Sequence, residues 1–350
     1  MVKRIGLILV FIISFSLLIS CGKAESQELI SFFDENMTID VYFIAGQSNA
    51  AGETYYKTVS KENRKAEHKT GYENIYFYGC SLYYGGFNGY MQLDSDFPFV
   101  KKDMGEMEGR IGPELGIAEY LSNYYNADTG REAVIVKYAV GGASLDGQFG
   151  SPWGNFCPPT LVAEGYEICG SDELNKDLYK NFMGVISDLM EILVQKGYKK
   201  INLCGLFWSQ GESESGALER SAAYDFVLET FIKDFRADVY SITQNPQALE
   251  LPVVIGEICP SFGGVDTIEI DGQIRSVNEG LNNVIDNQRK VASKMTNVYT
   301  IETNMYVLKA GVEGCLDSLH YGGNSALEIG RRAAEKLYNV NLNNNLEEQE

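Results

Sequence analysis

Histidine is scarce in this chain: its 350 residues include only His68 and His320. Any chemistry that needs an imidazole base therefore has two candidates. Positive charge is short as well, with 29 Lys and Arg against 48 Asp and Glu and a formal net charge of −19. Such a surface does not attract nucleic acid or an anionic polymer, but it admits a neutral substrate such as a sugar polymer. No Cys-x-x-Cys occurs, so neither a zinc knuckle nor a thioredoxin-type redox site is expected. There is no internal repeat. Nor does the N-terminal apolar stretch, residues 5–19, reach the roughly 18 to 20 residues needed to span a bilayer.

What that stretch does resemble is an export signal. Lys3 and Arg4 precede it, and Leu18-Ile-Ser-Cys21 follows the lipobox pattern in which the cysteine is acylated and becomes the new N-terminus. Residues 1–21 thus read as a lipoprotein signal with Cys21 lipidated, a generic cleaved signal being the alternative. Membrane attachment would be through lipid only, since two or three acyl chains anchor firmly. The expected location is a bacterial membrane, facing the periplasm or the cell surface. Residues 22–37 read as a polar tether, 38–340 as one large domain, and 341–350 as a polar, frayed tail. Export permits disulfides, and six cysteines remain after Cys21. Cys157 and Cys169 flank a short Pro-containing loop and are the pair expected to bridge. Cys204 and Cys259 lie in apolar runs and read as buried thiols.

Apolar runs at 39–45, 133–139, 201–208, 252–258 and 298–301 look like buried parallel strands. Between them, segments 112–124, 174–196, 222–235, 277–295 and 324–338 carry helical spacing, as in Leu178, Phe182, Ile186, Leu189 and Leu193. Strands alternating with helices imply right-handed crossovers and a mostly parallel α/β sheet covered on both faces. Segments 55–99 and 147–171 read as long loops, the kind that bind ligands. The first is rich in Tyr, including the run from Tyr83 to Tyr90, and the second holds Trp153. Aromatic faces of this kind suit the apolar faces of sugar rings.

Four motifs stand at the ends of these elements. Gly46-Gln-Ser-Asn-Ala50 follows the first apolar run, so Ser48 reads as held in a tight turn at the carboxyl edge of the sheet, flanked by Gln47 and Asn49. It is neither a Gly-x-Ser-x-Gly elbow nor a P-loop. Val140-Gly-Gly-Ala-Ser-Leu145 follows the second run, and its glycines let backbone N–H groups approach a ligand closely, with Gly142 a candidate oxyanion donor. Trp208-Ser-Gln-Gly-Glu-Ser-Glu214 follows the third. There Gln210 can donate to an oxyanion, and Glu212 can orient a residue or hold a loop. Asp317-Ser-Leu-His320 precedes the last helix, and its three-residue offset can bring carboxylate to imidazole and leave the other ring nitrogen for a serine. His68, among Lys, Glu and Arg, reads as a surface residue.

These blocks, in this order, resemble the SGNH hydrolases, in the branch holding sialate O-acetylesterases and carbohydrate esterase family 6 acetylxylan esterases. Arg110-Ile-Gly-Pro-Glu-Leu-Gly116 resembles that branch too. The resemblance implies a flavodoxin-like three-layer α/β/α sandwich and ester hydrolysis without metal or other cofactor. Carried over, Ser48 is the nucleophile, His320 the base and Asp317 its orienter; Ser48 N–H, Gly142 N–H and Gln210 are the oxyanion donors, with Gln47 and Asn49 beside them. Some relatives take the acid from the Gln-Gly-Glu block, which leaves Glu212 as the alternative to Asp317. Two positions depart from the family pattern: Ala50 where Met is common, and Glu214 where Asp is common. The expected substrate is an acetylated oligo- or polysaccharide. The competing readings are a general lipase or arylesterase of the same fold, a catalytically silent glycan-binding lipoprotein, and a glycosidase using Glu212 and Glu214. The last two carboxylates are only two residues apart, whereas glycosidases set theirs across the scissile bond.

Overall fold

Ile39, Val41, Phe43 and Ala45 alternate with Tyr42 and Ile44 along the first strand, and all six are buried. A strand apolar on both faces belongs inside a sheet covered on both sides. The computed structural model describes residues 37–81, 97–106, 108–126, 128–147, 151–170, 176–306, 308 and 317–347. Cys21, residues 22–36 of the tether, the Tyr83 to Tyr90 run and Cys315 lie outside the described residues.

Six parallel strands form the central sheet: β1 (Thr38–Gly46), β2 (Ile75–Ser81), β3 (Glu132–Ala139), β4 (Lys200–Ser209), β5 (Val253–Gly256) and β6 (Val298–Ile301). Their spatial order is β6-β5-β4-β1-β3-β2. Without the edge strand β2, the remaining five follow the 2-1-3-4-5 order of flavodoxin-like sheets, which places a crevice where the order reverses, beside β1. Five of the six strands coincide with apolar runs. The sixth, β2, falls in the segment read as a loop, because Tyr76, Tyr78 and Gly79 interrupt the apolar pattern.

Helices α2 (Leu178–Gln195), α3 (Leu218–Thr243) and α4 (Glu279–Lys294) cover one face, packing on Val41, Phe43 and Trp208. Phe43 meets Phe235 edge to face with ring centres 5.9 Å apart. Such a pair contributes about 0.5–1.5 kcal/mol beyond the area it buries. Helices α1 (Pro113–Leu121) and α5 (Gly323–Glu347) cover the other face, over Tyr42 and Ile44. The result is a three-layer α/β/α sandwich.

Two expectations need correction. Helix α5 runs on to Glu347, past the start of the supposed tail. The Asn341 amide donates to Cys204 O at 2.6 Å and to Leu337 O at 2.7 Å, which ties this turn to β4. Cys157 and Cys169 carry separate thiols and do not form the expected bridge. Cys169 Sγ donates to Gly147 O at 2.9 Å, while burial pushes the Cys157 thiol up to about 12 and keeps it in the protonated, unreactive form. Cys204 and Cys259 are buried thiols, as expected. No helix among the described residues is long and apolar enough to cross a membrane.

Candidate active site

Four chain segments meet at the carboxyl edge of the sheet around β1. The first leaves β1 through Gly46, whose φ is +142° and whose missing Cβ would stand 2.0 Å from Ser209 O. Only glycine lets β1 and β4 come this close. Gln47 N–H then bonds Ser209 O at 3.0 Å, and Ser48 opens a one-turn helix, Ser48–Ala51. The bonds of that turn start at Ala50 N–H, so the N–H of Ser48 has no intramolecular acceptor among the described residues. Ser48 is 6% exposed.

The second segment is the Gly-Gly turn after β3. A Cβ on Gly141 would lie 3.8 Å from Ser48 Cβ, so the turn is packed against the serine. Gly142 has φ +70°, and its carbonyl accepts from Ser151 Oγ at 2.7 Å and Ser213 Oγ at 3.2 Å. Its N–H has no acceptor among the described residues. The Trp153 indole lies on this glycine, 2.4 Å from where a Cβ would be, and the residue is 52% exposed.

The third segment brings His320. Its Nδ1 is 2.6 Å from Asp317 Oδ2, and Asp317 Oδ1 accepts the N–H groups of Leu319 at 2.7 Å and His320 at 3.2 Å. Burial pushes Asp317 up, but the hydrogen bonds from the imidazole and the Leu319 N–H outweigh it and hold the carboxyl below its usual value. A carboxylate can only accept, so Nδ1 carries the proton and Nε2 presents its lone pair. Facing Nε2, at 3.9 Å, is Glu53 Oε2.

The fourth segment follows β4 and serves mainly as a brace. Asn49 Nδ2 donates to Glu212 Oε1 at 2.8 Å and to Leu319 O at 3.4 Å, while its Oδ1 accepts Tyr321 N–H at 3.3 Å. It therefore straps the serine turn to the histidine segment. Glu212 is buried and makes no hydrogen bond to His320; burial raises its pKa against the Asn49 bond and the neighbouring imidazole. The imidazole Nδ1 is thus engaged by Asp317, not Glu212. Gln47 Oε1 accepts the N–H groups of Gly211 and Ser213, both at 3.3 Å.

Gln210, the candidate side-chain oxyanion donor, has its amide nitrogen engaged by internal acceptors. It is fully buried, its amide nitrogen donates to Ala143 O at 3.3 Å and to Glu214, and its Oε1 accepts the Tyr224 hydroxyl at 3.0 Å. A buried amide spends its hydrogens on whichever acceptors surround it, and here these lie behind the Gly-Gly turn. Glu214 completes the support, accepting Leu145 N–H at 2.6 Å and Asp146 N–H at 3.3 Å.

Sequence reasoning missed Glu53, Glu106 and Lys137. Lys137 is buried in β3, where its ammonium donates to Ala51 O at 2.8 Å, Met104 O at 2.5 Å and Glu114 Oε2 at 3.0 Å. A lone lysine inside Ala133-Val-Ile-Val-Lys-Tyr-Ala139 was the available signal. His68 is also a correction: it is fully buried rather than exposed, 3.3 Å from the Tyr56 hydroxyl and 3.4 Å from Glu119 Oε2. Burial pushes Glu119 up, but bonds from His68, Arg331 and Lys65 hold it down at about 2. Among the described residues no group of three or more His, Cys, Asp or Glu could hold a metal ion.

Residues 38–339 match the family described as carbohydrate esterase, sialic acid-specific acetylesterase. No curated protein sequence matches the chain. Among solved structures, a protein of Arabidopsis thaliana superposes with a TM-score of 0.53 at 16% identity, over 86% of this chain and 98% of its own. NanS gives 0.53 at 15% identity, over 87% and 98%. A carbohydrate acetylesterase from Xanthomonas citri gives 0.51 at 15% identity, over 85% of this chain and 55% of its own. At these identities the structures share the fold.

Proposed function

The chain belongs to the family of carbohydrate esterases described as sialic acid-specific acetylesterases, and on that premise we propose that it removes O-acetyl groups from saccharides through Ser48, His320 and Asp317. Membership of the family makes it a carboxylic ester hydrolase. The observation that supports this assignment of roles is the pinned imidazole: Asp317 holds Nδ1 at 2.6 Å, on a segment strapped to the Ser48 turn by Asn49.

In this reading His320 Nε2 takes the proton of Ser48 Oγ as the oxygen attacks the acetyl carbonyl. The tetrahedral oxyanion is received by the N–H groups of Ser48 and Gly142, each contributing about 3 to 4 kcal/mol to lowering the barrier. The imidazolium, stabilised by Asp317, then protonates the departing sugar oxygen. Water, activated by the same nitrogen, releases acetate and restores Ser48. The exposed indole of Trp153, resting on Gly142, suits the apolar face of a sugar ring at the rim. Acylation of Cys21 would hold the enzyme at a bacterial membrane facing the periplasm or cell surface; incorporation of labelled fatty acid that disappears in Cys21→Ala tests this.

The deciding experiment is acetate release by the full chain from acetylated xylan and O-acetylated sialic acid, with Ser48→Ala alongside. Release that falls by about 10⁶ in the variant is expected for loss of a triad serine. A variant as active as the parent would refute the assignment.

A further inference from the structure

Glu53 stands on the reactive side of the site. Its Oε2 is 3.9 Å from His320 Nε2, the nitrogen turned away from Asp317. Its Oε1 is 2.9 Å from the point a Cβ on Gly141 would occupy, the same point that Ser48 Cβ approaches to 3.8 Å. Glu106 Oε1 is 3.5 Å from that point, so two carboxyl groups meet beside the serine. Burial, then the hydrogen bond to Glu53 and its charge, push Glu106 up to about 8, against the opposing pull of Arg110 and Lys137. Glu106 therefore keeps its proton to a higher pH than an ordinary carboxyl does. The cations nearby are engaged. Arg110 donates to the Glu53 backbone carbonyl, lies 3.5 Å from Oε2 and rests over the Tyr55 ring at 4.2 Å. Lys137 is buried against Glu114.

In an ester hydrolysis routed through Nε2, that nitrogen protonates the leaving alcohol, so a carboxylate 3.9 Å from Nε2 borders the leaving sugar. We propose that Glu53 sets the charge specificity of this site: its carboxylate accepts a hydrogen bond from a free hydroxyl beside the ester and disfavours sugars that carry a carboxylate there. The substrate is then a neutral O-acetylated saccharide. This inference rests on the esterase reading above. A hydroxyl donating to a carboxylate makes a short, charge-assisted bond. A second carboxylate brought into the same half-buried wall meets a like charge that salt screens only weakly. The partly exposed carboxyl of Glu53 is accessible to a ligand, whereas Arg110, the cation an anionic sugar would need, is already occupied by Glu53 itself.

The test uses the full chain in detergent and two matched esters, 4-O-acetyl methyl glucoside and 4-O-acetyl methyl glucuronide, which differ only in a hydroxymethyl or a carboxylate on the carbon next to the ester-bearing one. An aryl acetate, with neither sugar nor charge, is measured alongside. The wild type is expected to favour the neutral sugar by about tenfold or more in kcat/KM, in line with the cost of like charges at close range. In Glu53→Gln that ratio is expected to fall to within about threefold, chiefly by a drop in KM for the glucuronide. A wild type that favours the glucuronide, or a Glu53→Gln enzyme that turns over the aryl acetate yet keeps the parental ratio, overturns the proposal and leaves the esterase reading standing. A wild type inactive on all three esters overturns both.

Discussion

Asp317 Oδ2 lies 2.6 Å from His320 Nδ1, and the second oxygen of the same carboxylate is held by two backbone N–H groups of the segment that carries the histidine. Carboxylate and imidazole are thus one preformed unit. Glu212 is near the imidazole but spends Oε1 on Asn49. Asp317→Asn is therefore expected to lower kcat by about 10⁴, as replacement of the acid in a serine triad does. Glu212→Gln keeps the Asn49 acceptor and is expected to cost less than about tenfold, since a single hydrogen bond is worth about 1 kcal/mol. Initial rates on an aryl acetate decide it, and the reverse order of effects would move the acid to Glu212.

A second prediction concerns the raised carboxyl of Glu106. Burial and Glu53 lift it to about 8, above its ordinary carboxylate value, so the native state binds more protons than the unfolded state between those two values. Stability contributed by this group is therefore greatest in acid and lost as pH rises through about 8. Glu106→Gln, which cannot ionise, is expected to be more stable relative to wild type at pH 8.5 than at pH 5. Thermal melts at the two pH values test it, and an identical difference at both would show that Glu106 titrates normally.

What the sequence made legible was whatever obeys a local rule. Apolar runs marked five of six strands, and the order of Gly-Gln-Ser-Asn, Gly-Gly, Gln-Gly-Glu and Asp-x-x-His marked the loops that converge. Strand β2 escaped because an edge strand need not be uniformly apolar. The true work of Gln210 and Asn49 escaped for a different reason. Whether an amide faces a substrate or braces a neighbouring loop depends on acceptors far off in the chain, such as Ala143 O and Leu319 O, which no local pattern encodes. His68 read as exposed because its neighbours in sequence are charged, yet those charges, Lys65 together with Arg331 from α5, are what pair with Glu119 and make burial tolerable.

Glu214 gives a third prediction. Its carboxylate is buried, raised above its usual value by that burial, and is the acceptor for Leu145 N–H, Asp146 N–H and the Gln210 amide. These bonds fix the far end of the Gly-Gly turn. Glu214→Ala is expected to lower kcat by about 10²-fold with a smaller change in KM, because small displacements of catalytic groups are costly. Glu214→Asp, the residue common in the family, is expected to restore part of the loss. A change confined to melting temperature would show that Glu214 is structural and does not position the turn.

The fourth prediction concerns the buried Lys137–Glu114 pair. Both side chains are fully or almost fully removed from solvent, 3.0 Å apart, and Glu114 Oε1 also accepts Gly112 N–H at 2.7 Å. Lys137→Met strands the carboxylate and removes the donor to Ala51 O and Met104 O, so a loss of about 3–5 kcal/mol is expected. Lys137→Met with Glu114→Gln removes the stranded charge while keeping an acceptor for Gly112 N–H, and is expected to recover a good part of that loss. Ala51 is the last residue of the one-turn helix that Ser48 opens, so the double variant separates two roles. If the pair only stabilises, urea melts recover and kcat recovers with them. If the ammonium also sets the serine turn through Ala51 O, stability returns but kcat stays depressed, and that split is the expected outcome.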